Sequence, residues 1–417
     1  MGVILSDAPL ERQLAEARPE VARILAGVLS GHELDREGAL RLAQANGADL
    51  QALVAAADAL RHQTVGDRVT YVVNRNINFT NVCTVGCTFC GFSRAAGAAD
   101  AYDLTLEQVV AKAKQAWDRG ATEVCIQGGL PADMDGNRYR DILRAIKAEL
   151  PHMHIHAFSP MEIDYGQRLT RIPLPEYLQR LKAAGQDSIP GTAAEILDDE
   201  VRNRLSPRKL KVARWVEIIT AAHRASIPTT ATIMYGHVEE PRHWVDHMFL
   251  LRDIQRETRG FTEFVPLGFI HDNTRLYQRG RARAGSSVAE DLRMHALARV
   301  VFHGFIPNIQ VSWVKLGFEV SLACLRAGAN DYSGTLMEES ISRTAGASYG
   351  EFVAPEEFRA LIRQIGRLPA ERNTTYSSFK LFETLTPDEK LPPSPEECVN
   401  RKLNFAPAPA HYTGSGY

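Results

Sequence analysis

An excess of charge of either sign is missing from this sequence. Lysine and arginine number 48 against 50 aspartate and glutamate, a formal net charge of -2 over 417 residues. Without a basic stripe there is nothing to neutralise a phosphate backbone, so a nucleic-acid partner is not expected. Long apolar runs are missing too, and none approaches the roughly 20 residues that a membrane-spanning helix needs. The opening MGVILSDAPLERQLAEARPE has an early acid and no apolar stretch of the secretory kind. A soluble, cytoplasmic chain with no membrane partner is the expectation. Cysteine is scarce, with six in all, too few to staple a chain of this length. Three of them, Cys83, Cys87 and Cys90, crowd into eight residues, while Cys125, Cys324 and Cys398 stand alone. That asymmetry points to metal chemistry in a reducing compartment.

What is present begins with a hydrophobic content of 45%, enough for a sizeable core. As far as Gly66, apolar residues recur at three- and four-residue spacing, as in VARILAGVLSG and ALRLAQANGADLQALVAAADALRHQ, which predicts a helical extension over 1–66. From Val69 to about Ser333 short β-branched runs alternate with amphipathic segments. The predicted strands are VTYVVNRNINFT, TEVCIQ, MHIHAF, DSIPG, PTTATIMY, TEFVPL, PNIQVSW and ANDYSG. Eight strands with intervening helices predict an α/β fold, a parallel (β/α)8 barrel of the TIM type, over 67–385. Gly120, Gly185 and Gly328 stand where αβ loops need C-caps. After Leu385 the chain turns Pro-rich and polar, so 386–417 reads as a poorly ordered or surface-draped tail. Cys125 and Cys324 fall in a strand and a helix and read as small buried hydrophobes.

The chemistry is concentrated in TNVCTVGCTFCGFSR, where Cys83-x3-Cys87-x2-Cys90 follows the first strand. Thiolates are soft ligands for zinc or iron-sulfur clusters, and a loop with Gly86 inside it can wrap several metal corners. Three ligands, rather than four, leave one iron of a [4Fe-4S] cluster open to a further ligand. The competing reading is a zinc site completed by a distant Cys or His. Against it stand the loop's place at the C-terminal end of a barrel strand, Phe89 and Phe92 as shields, and a glycine pair after the next strand.

The Cys-x3-Cys-x2-Cys loop with an aromatic before its last cysteine resembles the signature of the radical S-adenosylmethionine superfamily. Around it, NRNINFTNVCTVGCTFCGFSR, IQGGL, PGTAAEILDDEVRNRLSP, TIMYGH and GANDYSGTLMEESISRTAGA closely resemble the 4-hydroxyphenyl transferase subunit of deazaflavin (FO) synthase, over about 69–346. The resemblance implies a [4Fe-4S] cluster held by Cys83, Cys87 and Cys90, with S-adenosylmethionine chelating the open iron and cleaved to a 5'-deoxyadenosyl radical. It implies transfer of the 4-hydroxybenzyl group of L-tyrosine to 5-amino-6-(D-ribitylamino)uracil, with 2-iminoacetate, methionine and 5'-deoxyadenosine released. With one cysteine triad only, the cyclising half-reaction would belong to a separate radical subunit, and a low-potential electron donor is implied. The alternatives are an aminofutalosine synthase-type radical enzyme of menaquinone biosynthesis, or a non-catalytic metal-binding module. Gln186 and Asp187 depart from the smaller, less polar pair that the family leads one to expect.

Other candidates follow from strand ends. Gly128 and Gly129 would bring backbone close to the cofactor's methionine amino group, against an ordinary βα turn, and Leu130 stands where the superfamily often has an acid. His152, His154 and His156 alternate on one face, but a strand rising about 3.3 Å per residue spreads them over about 13 Å, so only His156 is expected near the site. Ser159 and Glu162 are candidate cofactor or substrate partners, or a turn residue and a solvated acid. Glu195 is a candidate for the cofactor's ribose, or a first-turn helix acid. Tyr235, His237, His271 and Asn330, with Asp331, are expected at other strand ends facing the substrates.

Overall fold

The structure, a computed structural model, describes residues 5–398, 401, 403 and 405. Four helices open the chain, Leu10–Glu16, Pro19–Leu29, Arg36–Ala43 and Ala48–Val65. The last buries Leu50, Leu53, Ala56, Ala57 and Leu60, and its alanines let it lie close against helix Val288–Val301. Two arginines tie this extension down: Arg293 Nε donates to Ala45 O at 2.7 Å and Arg252 Nη1 to Leu34 O at 2.8 Å.

The strands are β1 (Arg68–Val72), β2 (Asn74–Ile77), β3 (Glu123–Ile126), β4 (His154–Ala157), β5 (Thr229–Tyr235), β6 (Phe261–Gly268), β7 (Asp331–Gly334), β8 (Leu368–Arg372) and β9 (Phe379–Leu381). Six of the predicted runs form or contain these strands. DSIPG and PNIQVSW contribute only isolated bridges, His156 to Ser188, Ile189 to Thr229, Phe264 to Ile309 and Gln310 to Asp331. With those bridges the ring closes as a parallel eight-stave barrel: β1/β2, β3, β4, 188–189, β5, β6, 309–310, β7 and back to β1.

The first predicted run is interrupted at Val73, because β1 pairs with β7 and β8 while β2 pairs with β3. β8 and β9 were not foreseen. β8 runs parallel to β1, with Arg68 opposite Leu368 and Tyr71 opposite Glu371, at the N-terminal ends of the staves. The fourth stave closes through bare backbone: a Cβ on Gly191 would lie 1.9 Å from Thr230 O. Gln186 and Asp187 prove structural. Asp187 Oδ2 accepts Ile155 N–H at 2.8 Å and pairs with Lys147, and the Gln186 amide donates to Ala157 O. The three glycines all have positive φ; Gly185 is the C-cap of its helix, and Gly120 and Gly328 stand two residues past the C-caps Asp118 and Arg326. The described part of the tail lies on the barrel flank, where Arg401 pairs with Glu357 at 2.8 Å and Phe405 lies under Arg75. Residues 399, 400, 402, 404 and 406–417 of the expected tail lie outside the described residues. No described helix is long and apolar enough to cross a membrane.

Several histidines are buried in this shell. His247 Nδ1 accepts Leu197 N–H at 3.0 Å and Nε2 donates to Thr232 O at 2.9 Å, so it is held neutral. Burial lowers His247 to about 3 and His156, His223 and His295 to about 4, below an unfolded value near 6.5. Their contribution to stability is therefore present above pH 6.5 and lost as pH falls toward 4, because the unfolded chain takes up the protons first. Denaturant midpoints should fall steadily from pH 6.5 to 4, and His247→Gln should make that slope shallower by about 1.4 kcal/mol per pH unit, measured by urea titration.

Candidate active site

Alternation along each stave sends every second side chain into the barrel. A cavity of about 430 Å³ is lined in this way by Asn74, Asn76 and Asn78, by Glu123, Cys125 and Gln127, and by Thr230, Thr232 and Met234. The rows Glu263, Val265, Leu267 and Gln310, Ser312, Val314 complete the opposite wall.

Cys83, Cys87 and Cys90 all line this cavity from the loop that follows β2, and none is in a disulfide. The loop is clamped mainly through its backbone. Cys83 N–H donates to Arg94 O at 3.0 Å, Thr84 N–H to Leu130 O at 3.1 Å, Thr88 N–H to Leu205 O at 3.1 Å, and Leu276 N–H to Thr88 O at 2.9 Å. Arg275 Nη2 donates to Gly86 O at 3.1 Å, and Gly86 has φ +69°. Leu130 therefore acts through its carbonyl. Burial pushes the Cys87 thiol up to about 11, and the charge of Lys209 and a 3.1 Å hydrogen bond from Ser206 pull against it. Lys209 also lies over the Phe89 ring, 5.1 Å from its centre.

The glycine pair is part of the same clamp. A Cβ on Gly129 would lie 2.1 Å from Val82 O and 3.1 Å from the Cβ of Cys83. Gly91 is equally constrained, its Cβ falling 2.9 Å from Ala345 Cα, a close approach that sequence reasoning did not mark. Gly128 N–H donates to Glu162 Oε1 at 2.9 Å. The other carboxylate oxygen accepts Ser159 N–H at 2.7 Å and Ser159 Oγ at 2.5 Å, a capping box at the start of helix Pro160–Thr170. Glu162 is neither solvated nor isolated. Burial lifts it to about 7 in spite of these donors.

Glu195 lines the cavity with φ +40° and precedes helix Asp199–Leu205, so it is not a first-turn acid. Its carboxylate contacts Lys209, with Arg202 Nη1 at 3.5 Å. His156 reaches the cavity, its Nδ1 2.7 Å from Ser188 Oγ, which also meets His154 Nε2 at 2.7 Å.

Four expected residues do not face the cavity. Tyr235 has the parity opposite to Met234, so it points outward and donates to Asp291 Oδ1 at 2.7 Å. His237 turns back on its own loop, with Nε2 on Met234 O at 2.9 Å and Nδ1 3.1 Å from Glu239, beside a separate recess. His271 lies edge-on to Tyr277 at 4.4 Å, outside the cavity. Asn330 comes just before β7, at the wrong end of the stave, where it accepts from Arg299 Nη2 at 2.7 Å and Ile309 N–H at 2.8 Å. It is a structural peg. Conversely, Lys209, Lys315, Glu339 and Arg372 line the cavity unannounced, since helices, loops and a post-barrel strand carry no parity signal.

Among the described residues no three His, Cys, Asp or Glu side chains converge on a single ion, which removes the three-histidine zinc option. A cubane makes a different demand, because each thiolate takes its own iron and the thiolates stand apart. Three free thiols facing one cavity, on a loop clamped by bare glycine backbone, fit that demand.

This is the geometry of a radical S-adenosylmethionine barrel. The model of the radical SAM superfamily matches residues 77–251, and that of the CofH/MqnC C-terminal region matches 258–385. The chain is 51% identical over 347 residues to the 5-amino-6-(D-ribitylamino)uracil--L-tyrosine 4-hydroxyphenyl transferase of Methanothermobacter thermautotrophicus, covering 83% of this chain and 95% of that one. It is 50% identical over 371 residues to the FO synthase of Mycobacterium leprae, covering 88% of this chain but 43% of that one. The FeFe-hydrogenase maturase HydG from Carboxydothermus hydrogenoformans shares the fold, with a TM-score of 0.68 at 16% identity, over 88% of this chain and 83% of that one. The chain belongs to the radical SAM superfamily, in the family of the 5-amino-6-(D-ribitylamino)uracil--L-tyrosine 4-hydroxyphenyl transferase. Membership implies a [4Fe-4S] cluster and S-adenosylmethionine.

Gly129→Ala should push Val82 and Cys83 out of place. Iron retention should weaken by about tenfold or more, read by iron content, with the circular dichroism of the barrel retained.

Proposed function

We propose that this chain transfers the 4-hydroxybenzyl group of L-tyrosine to 5-amino-6-(D-ribitylamino)uracil, releasing 2-iminoacetate, methionine and 5'-deoxyadenosine, in deazaflavin biosynthesis. The observation that carries this reading is the 51% identity that runs over 95% of the Methanothermobacter transferase. The match covers 95% of the Methanothermobacter transferase and 43% of the Mycobacterium leprae FO synthase, and the cyclising step is assigned to a separate radical subunit, as the resemblance implies. A low-potential donor supplies the electron, and a cytoplasmic setting suits free thiols.

Cys83, Cys87 and Cys90 are the ligands proposed for three irons, and the cluster, when bound, supplies the electron that cleaves S-adenosylmethionine. The protein's own part is to bind, orient and exclude water. Gly128 and Gly129 bring backbone to the cofactor's methionine end, and Glu162 fixes that backbone through Gly128 N–H. Ser159 acts through Glu162, and Glu195 with Lys209 forms a charged wall beside Cys87. His156, held neutral by burial, presents its second ring nitrogen to the substrates.

Reconstituted protein incubated anaerobically with dithionite, S-adenosylmethionine, tyrosine and the diaminouracil should yield a hydroxybenzyl-uracil adduct by mass spectrometry, dependent on both substrates. An adenosylated product would overturn the reading in favour of an aminofutalosine-type enzyme. Cys87→Ala should lose the cluster's visible absorbance and more than 99% of product formation, to the order expected when an essential ligand is removed.

A further inference from the structure

The end of the cavity away from the cysteine loop is built from side chains that the proposed reaction has not used. Glu123 and Asp331 begin β3 and β7, and Arg372 ends β8 one residue past the pairing of Tyr71 with Glu371, just below the level of Asn74 and its partner Glu123, so these groups lie toward the N-terminal ends of the staves. Asn78 leads up to the cysteine loop, and at about 3.3 Å per residue it stands about 13 Å above Asn74, the partner of Glu123 in the ladder. β8 thus brings Arg372 and, just beyond it, Thr374 into the barrel floor.

The floor is charged, with one arginine among three carboxylates. Arg372 Nε donates to Asp331 Oδ2 at 2.5 Å and its Nη2 stands 3.5 Å from Glu263, whose carboxylate also takes Gln310 Nε2 at 2.9 Å and the Tyr376 hydroxyl. Glu123 accepts Asn74 Nδ2 at 2.9 Å. With Arg372 already engaged no free cation is left for an anionic ligand, Glu123 and Glu263 would repel a carboxylate, and among the described residues no three acids converge on a metal ion. One donor is left over: the Thr374 hydroxyl is buried, lines the cavity and has no partner. An orphaned buried hydroxyl is costly unless a ligand or water takes it.

Polarity also changes with height. On the wall facing β2 and β3 the inward rows read, from floor to mouth, Glu263, Val265, Leu267 and Gln310, Ser312, Val314, polar below and apolar above. A ligand matched to that gradient has a neutral, hydroxyl-rich end below and a flat, less polar end above. Resting on the function proposed above, we infer that this floor, with Glu263, Gln310, Arg372 and Thr374 at its centre, is the site of the ribityl arm, which stands the uracil ring upward toward the cysteine loop. The floor then selects the polyol while the loop handles the cofactor.

The test is binding without turnover, in oxidised cluster-loaded protein with S-adenosylmethionine and no reductant, by calorimetry. The probes are 5-amino-6-(D-ribitylamino)uracil and its 6-methylamino analogue, which lacks the polyol. Wild type should prefer the full ligand by about 100-fold or more. Thr374→Val, nearly isosteric, should weaken the full ligand by about tenfold and leave the analogue unchanged, and Glu263→Gln should do the same or more. Equal affinity of wild type for both probes, or equal losses on both in the Thr374 variant, would overturn the inference. Preserved discrimination in a protein that makes no hydroxybenzyl adduct would sink the proposed function and leave the polyol site standing.

Discussion

Closing a sheet into a ring gives each stave a single inward row, and the whole site hangs on the parity of those rows. One residue of slip in β5 would replace Thr230, Thr232 and Met234 in the lumen by Ala231, Ile233 and Tyr235. Parity is enforced from outside, where helices need the apolar set: Ile233 and Tyr235 are fully buried in the shell. The polar lumen is therefore selected as much by what the helices must cover as by what the cavity must bind.

A polar lumen is expensive to hold, and the extra strand β8 helps to hold it. Asp331 and Glu263 inside a barrel would carry uncompensated charge without Arg372, and losing one partner of such a buried set costs more than the pairing returns. The break at Val73 makes this possible. It frees the edge of β1 for β8 at the floor, while β2 turns to β3 and carries the chain upward to the cysteine loop.

That loop is stiff for a different reason. Its geometry is set by carbonyls and N–H groups of Leu130, Leu205, Arg94 and Leu276, which belong to four separate segments. Bare Gly129 and Gly91 let two of its neighbours approach closely. Side chains inside the loop are thereby left free to face the cavity, which is what preorganisation requires of a ligand set.

The cysteine triad, the glycines that follow the helices and the alternation of strand and helix were legible in the sequence, because each rests on local spacing that a barrel converts directly into position. The family resemblance was legible for the same reason, its motifs lying on strand ends and short loops. The places of Tyr235, His237, His271 and Asn330 were not, since an end of a strand has two parities and a barrel has two ends, and only the packed ring chooses among them. Nor was the floor: Arg372 and Thr374 lie some 300 residues from Asn74 in the chain, and it is the pairing of β8 with β1 that brings them beneath it. Sequence by itself determined the class of chemistry, through the spacing of three thiols. Tertiary structure alone decided which polar side chains share the cavity, because burial and charge compensation act between residues that no local pattern connects.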